Sequence, residues 1–212
     1  MSGQRQPPAD WRTERRKGMR AIAGAMIVSA AIWLAIYYLA PPIAGMAGPL
    51  ERELFALKCV ALATLFCLVA GIEAVAHERL QSDAFDPLLN HETRRLRVNL
   101  RYLQNTLEQL IVFSVGLFTL AAYMKDGGEM RAVLATTVVW VLARFAFWIG
   151  YHRSAALRGL GAPGMMAGML MLLYGVWRIG MDLGGTAAAL ALIAAFLALE
   201  GVLFASTRPR GA

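Results

Sequence analysis

The chain is short of the residues on which soluble domains depend. Only 17% of its 212 residues are charged while 58% are hydrophobic, a balance that excludes both disorder and an ordinary water-soluble domain. Cysteine and histidine are scarce, with two of one and three of the other. Cys59 and Cys67 share one apolar stretch and would lie about 12 Å apart along a helix axis, too far to bridge; they read as buried core thiols. His77, His91 and His152 have no metal-ligand spacing, so the sequence offers neither a disulfide framework nor a metal centre. Repeats, heptads and low-complexity segments are also missing.

What the chain has in abundance is apolar sequence in runs of about 20 residues, the length that crosses a bilayer's hydrocarbon core. Spans are expected at about 21–40, 54–77, 100–124, 132–152, 163–181 and 186–205. Helix-breaking residues punctuate them: Pro41-Pro42 and Gly48-Pro49 after the first, Asp126-Gly127-Gly128 after the third, Gly159 to Gly164 after the fourth. Between the last two stand only Arg178, Asp182 and Gly184-Gly185, so these two can also be read as one bent helix. The expected fold is all-α, a polytopic transmembrane helical bundle. At about 30 residues per span and loop, little chain remains for a soluble domain, and any chemistry belongs within or beside the bilayer.

The net charge of +7 is unevenly placed. Arg5, Arg12, Arg15, Arg16, Lys17 and Arg20 precede the first span, and with the N-terminus inside they share that side with Arg79, the Arg94–Arg101 group, Arg153, Arg158, Arg208 and Arg210. The opposite side receives only Arg52, Lys58, Lys125, Arg131 and Arg178. This asymmetry puts both termini in the cytoplasm. The N-terminal cluster reads as a topology signal and an anchor to anionic lipid rather than as a nucleic-acid patch. The apolar segment behind it is long for a secretory signal and continues into Pro41-Pro42, which favours a membrane helix.

Polar groups inside the spans carry the functional signal. Arg101, Asn105 and Glu108 fall within about a 60° arc of one helix. Glu108 lies about 10–12 Å along that helix from the boundary, where an ionised group is costly unless it faces a polar partner or a cavity. A charge cluster at a helix start, solvated or internally paired, is the alternative. In the fourth span Arg144, Phe147, Tyr151 and Arg158 again share a stripe of about 60°. Taken singly, Arg144 can be a snorkelling side chain, Tyr151 a belt residue and Arg158 ordinary interfacial charge. Together the two clusters describe a cytoplasmic-side cavity suited to a small zwitterionic peptide, with carboxylates for arginine and an amine for glutamate. If the helix runs on to Arg158, Arg144 and Arg158 stand about 21 Å apart along it, while a tripeptide spans about 10 Å. A neighbouring subunit is then expected to supply the missing contacts. Glu73 and Glu200 read as interfacial carboxylates, and the five tryptophans as belt or packing residues.

Arg101, Asn105, Glu108 and Gln109, followed by Arg144, Gly150, Tyr151 and Arg158, resemble in order and spacing the membrane-associated proteins in eicosanoid and glutathione metabolism, the MAPEG superfamily. It includes the microsomal glutathione transferases, a leukotriene synthase and many bacterial members. The resemblance covers about 54–181, a four-helix unit. It leaves a basic segment over 1–20, an additional helix and loop over 21–53 and an additional C-terminal helix and tail over 182–212. It implies a homotrimer in a bacterial inner membrane that binds glutathione as co-substrate, with no metal, and directs it at a lipophilic acceptor; membrane lipid is the other partner. Arg101, Asn105, Glu108, Arg144 and Tyr151 would hold glutathione, and Arg158 would be the catalytic residue that stabilises its thiolate. Phe147 and Gln109 stand where some members have tyrosine, which implies a general transferase or peroxidase rather than eicosanoid-specific chemistry. A non-catalytic lipid-binding or scaffold protein is the alternative. A transporter fits less well, because the polar residues gather on one side and no broken helix is evident at the midplane.

Overall fold

The computed structural model describes residues 11–89 and 91–207; Arg5, Arg208 and Arg210, counted above, lie outside them. Among the described residues all regular secondary structure is helical, with no strand. Helix α1 runs Trp11–Leu39, α2 Pro49–Ala63, α3 Ala70–Leu80, α4 Arg94–Tyr123, α5 Arg131–Arg153 and α6 Ala162–Ser206. A π-helical turn over Thr64–Val69 joins α2 and α3 into one rod, and a 3-10 turn over Ala156–Gly161 joins α5 to α6. Among the described residues five helical rods are long and apolar enough to cross a membrane.

Local chemistry sets the ends. Pro41-Pro42 stops α1, and Pro49 opens α2 at a position whose amide has no helical partner in any case. Thr93 caps α4 by accepting the Leu96 amide at 3.0 Å. Between α4 and α5 the Asp126 carboxylate accepts the amides of Gly128 at 2.7 Å and Glu129 at 3.0 Å. Those two bonds hold its carboxyl below the usual carboxylate range. Helix α1 begins ten residues ahead of the expected apolar boundary, carried through the basic segment by good helix formers and a Glu14–Lys17 pair at 3.2 Å.

The expected last two spans form one element that breaks at Gly184-Gly185 with no polar loop between its halves. Gly185 takes φ 66° and ψ −158°, which an L side chain would strain to adopt. The turn is sharp enough to bring Ala189 against Gly180. Each half is about 20 residues, enough to span. Among the described residues beyond the break only Ala189 is buried, and Leu190, Leu197, Val202 and Phe204 are exposed.

One end of the bundle gathers the starts of α1 and α4 and the end of α5. Arg94 donates to the His152 carbonyl at 2.9 Å, Glu78 pairs with Arg95 at 3.0 Å, and Gly18 rests on Ala156. The other end is tied by the Ile43 amide to the Gly127 carbonyl at 2.9 Å and by Arg131 to the Ala40 carbonyl at 3.0 Å. There Arg52, which the sequence marked only as outside charge, is buried and donates to the carbonyls of Met46, Ala47 and Lys125.

The core lies between α2, α4 and α5, where Trp140 stacks on Phe113 at 4.6 Å and both cysteines are buried and free. Trp33 donates to Thr136 at 2.9 Å and Trp148 to Asn99 at 2.9 Å, so these tryptophans pack helices together. Helix α6 meets α4 through small residues. A Cβ on Gly168 would stand 3.0 Å from Val112, and one on Gly175 would collide with Thr119. Close approach of this kind drives helix association in membranes. Gly175→Leu is therefore expected to lower stability by about 1–3 kcal/mol in thermal unfolding of the detergent-solubilised protein. Gly24→Leu, where nothing lies within 4 Å, serves as the neutral control; equal loss in both would refute glycine-mediated contact.

Candidate functional site

The first half of α4 carries Arg101, Asn105 and Glu108, the last three turns of α5 carry Arg144 and Tyr151, and the 3-10 turn carries Arg158. All six line one cavity of about 430 Å³, within the range of roughly 300–1,000 Å³ common to small-molecule sites.

Arg144 forms the floor. Its side chain is fully buried. Nη1 donates to Gln109 Oε1 at 3.0 Å, and Nη2 donates to Asn105 Oδ1 and Thr106 Oγ1, both at 3.0 Å. Nε has no partner. The guanidinium lies 4.6 Å from the Phe147 ring centroid and 5.5 Å from that of Tyr102. Among the described residues no carboxylate pairs with it. A desolvated cation is thus held by neutral oxygens and ring faces alone, an arrangement that leaves its charge uncompensated.

Packing around the floor comes from elements that the sequence gave no functional weight. Tyr102 stacks on Trp148 at 4.4 Å and donates its hydroxyl to the Cys67 carbonyl at 3.0 Å. That carbonyl belongs to the π turn and also accepts the Ala70 amide, so it serves its own rod and the neighbouring helix at once. The turn widens the α2–α3 rod without breaking it.

At the mouth, Arg101 and Glu108 are exposed and do not pair with each other. Gln104 stands between them, accepting from Arg101 Nη1 at 3.2 Å and donating to Glu108 Oε1 at 3.2 Å. Tyr151 lines the wall, its ring 5.6 Å from that of Phe147.

Arg158 reaches the cavity by a fold-back of the chain, so the condition of a helix running on to it is not met. Helix α5 ends at Arg153, and Ser154 is extended, with φ −157° and ψ 158°. The Ser154 hydroxyl then accepts the Leu157 amide at 3.2 Å, and the chain folds back so that Leu157 packs on Gly150 and Gly161 on Phe147. Arg144 and Arg158 consequently line the same cavity in one chain, and their separation along a straight helix no longer argues for a shared site. Helix α1 braces this turn from behind. A Cβ on Gly159 would stand 2.8 Å from Ile22 Cγ1 and 3.2 Å from the Gly18 carbonyl oxygen.

Sequence reasoning missed Gln104, Thr106 and Gln109. A signal was present for two of them, since Asn105 and Gln109 are four apart and Thr106 is three before Gln109, which puts three polar groups along one helix edge. Gln109 enters the sequence reading as part of the family motif and as a replaced tyrosine, not as a partner of Arg144. The cavity as a whole holds three guanidinium groups against one carboxylate, so its field favours an anionic ligand, and the planar donors suit carboxylates.

A family model described as the MAPEG family matches residues 55–181. An uncharacterized protein of the cyanobacterium Synechocystis sp. is 34% identical over 124 residues, covering 56% of this chain and 86% of that protein. No solved structure gives a significant match. A family match across more than half of the chain, on a bundle of membrane-length helices, fixes the affiliation: this integral membrane protein belongs to the MAPEG family.

Proposed function

We propose that the protein is a glutathione-dependent transferase or peroxidase that presents the glutathione thiolate to a lipophilic electrophile or hydroperoxide at one face of the bilayer. The observation that carries this reading is the buried Arg144, paired only with neutral groups at the floor of a cavity whose mouth bears Arg101, Arg158 and Glu108. Glutathione brings two carboxylates, one ammonium and one thiol. Arg101 takes one carboxylate at the mouth, the charge of the buried Arg144 draws the other toward the floor, Glu108 takes the ammonium, Asn105 and Tyr151 line the peptide, and Arg158 stands by the sulfur. Phe147 presents a ring face to Arg144 and no hydroxyl, which supports general rather than eicosanoid-specific chemistry.

Magnitudes limit what Arg158 contributes. A thiol near 8.5 is about 3% ionised at neutral pH, and lowering it by about 2 units raises that to about 75%. Nucleophilicity falls with basicity and returns about 6–10-fold of the gain. The net benefit is a few-fold, so most of the acceleration comes from holding a bilayer-concentrated acceptor beside the sulfur.

The working form in this reading is a homotrimer in a bacterial inner membrane, with the basic end and both termini in the cytoplasm. The exposed face of α4 supports it. Glu108 lies on that face one turn from exposed Ile111 and two turns from Val115, and a carboxylate facing lipid at that depth is costly. A neighbouring copy against α4 would cover it.

The test is an ultraviolet thiolate difference spectrum on adding glutathione to the detergent-purified protein. At neutral pH a thiolate signal is expected that Arg158→Ala reduces at least fivefold while glutathione still binds. Binding without thiolate in the native protein would point to a carrier, and absence of binding would leave the lipid-binding scaffold ahead. Glu108→Gln is expected to weaken glutathione about tenfold by isothermal titration, since a charged hydrogen bond is lost. A glutathione analogue lacking the amine should bind native protein and variant alike; a variant penalty that persists with the analogue would remove Glu108 from this role.

A further inference from the structure

Helix α1 leaves a groove on its α6 side that the chemistry above does not use. Met26, Ala30 and Trp33 form one wall, Met166 and Leu170 of α6 the other, and Thr136 of α5 lies in the floor of a space of about 450 Å³. Trp33 and Thr136 satisfy one another by their 2.9 Å hydrogen bond, so that pair presents hydrocarbon and ring surface to the groove. Higher on the same helix, Arg15, Arg16, Met19 and Arg20 border a second space of about 410 Å³. At 100° per residue Arg15, Arg16 and Met19 fall in the same arc of about 100° as Met26, Ala30, Trp33 and Leu34. Guanidinium groups and groove therefore lie one above the other on a single flank.

Depth and charge identify the occupant. From Arg20 the groove begins about 9 Å down the helix at Met26 and reaches about 20 Å at Trp33, a range that brackets the roughly 15 Å of hydrocarbon in one leaflet. The one acid in this stretch, Glu14, pairs with Lys17 at 3.2 Å, and among the described residues no carboxylate pairs with Arg15, Arg16 or Arg20. The groove encloses a chain on three sides, by α1, α5 and α6, whereas a convex helix surface touches bulk lipid on one.

We propose that this seam seats one anionic phospholipid, with its phosphate among Arg15, Arg16 and Arg20 and an acyl chain in the groove between α1 and α6. The lipid fills the groove between α1 and α6 and adds to the contacts that hold α1 on the bundle. This site is separate from the polar cavity and does not depend on what that cavity binds.

The full-length protein in non-ionic detergent is titrated with phosphatidylglycerol and, separately, with phosphatidylcholine of the same chains, read by native mass spectrometry and thermal unfolding. One phosphatidylglycerol per chain should be retained with a rise in Tm, at an affinity at least tenfold above phosphatidylcholine. Each arginine near the surface accounts for about fivefold, so Arg15→Gln with Arg16→Gln should weaken phosphatidylglycerol about 25-fold. Ala30→Phe and Ala167→Phe, which fill the groove from opposite walls, should each abolish retention while the lipid-free Tm stays within a few degrees of native. Equal response to the two lipids would overturn the headgroup assignment. Undiminished retention in both groove-filled variants would overturn the seat, as would inorganic phosphate reproducing the Tm rise or a second copy of the chain replacing the lipid.

Discussion

The site depends on one buried cation. Arg144 sits out of contact with water, and its desolvation is offset by three neutral oxygens and two ring faces rather than by a carboxylate. That choice has a structural cost and a functional consequence. An arginine–carboxylate pair would have closed the floor of the cavity with a neutral unit; amide and hydroxyl acceptors orient the guanidinium and leave its charge available to a ligand. The surroundings serve the same end. Tyr102, fixed by the π turn's Cys67 carbonyl and by Trp148, backs the guanidinium with a ring that carries no competing charge.

The second dependence is on the backbone after α5. Had the helix continued, Arg158 would have projected about 21 Å from Arg144 along the axis. Ser154 ends the helix, and the 3-10 turn folds against Gly150 and Phe147. Close contacts of Gly18 and Ile22 with Gly159 show that α1, which lies outside the matched family region, supports the turn carrying Arg158. The N-terminal helix therefore touches the site's scaffold as well as the surrounding lipid. Its other flank, arginines above and an apolar groove below, suits a lipid that would keep it in place.

The apolar surface of the molecule is consistent with this division. Residues beyond Gly184-Gly185 contribute almost nothing to the core, while the α4–α6 seam is packed closely through glycine. A bilayer solvates the exposed leucines, so the return segment of α6 needs no protein contact to be helical, only satisfied backbone hydrogen bonds.

Much of this was legible in the chain. Apolar runs of membrane length determined an all-α bundle, because the bilayer permits few other ways to satisfy a spanning backbone. The spacing of Arg101, Asn105 and Glu108, and of Arg144 and Tyr151, determined which side chains share a face, because helical periodicity is local. Three things were decided only in three dimensions. The end of the fourth span near 152 was legible, but the fold-back after Ser154 was not, because it rests on contacts with Gly150 and Phe147. Gln109, read as a substitution, became a ligand of Arg144 because two helices face one another across 35 positions. The break at Gly184-Gly185 was open to two readings, and the packing of Ala189 on Gly180 selected a sharp reversal. Sequence periodicity specifies what lies along a helix, whereas partners across helices depend on packing between segments distant in the chain.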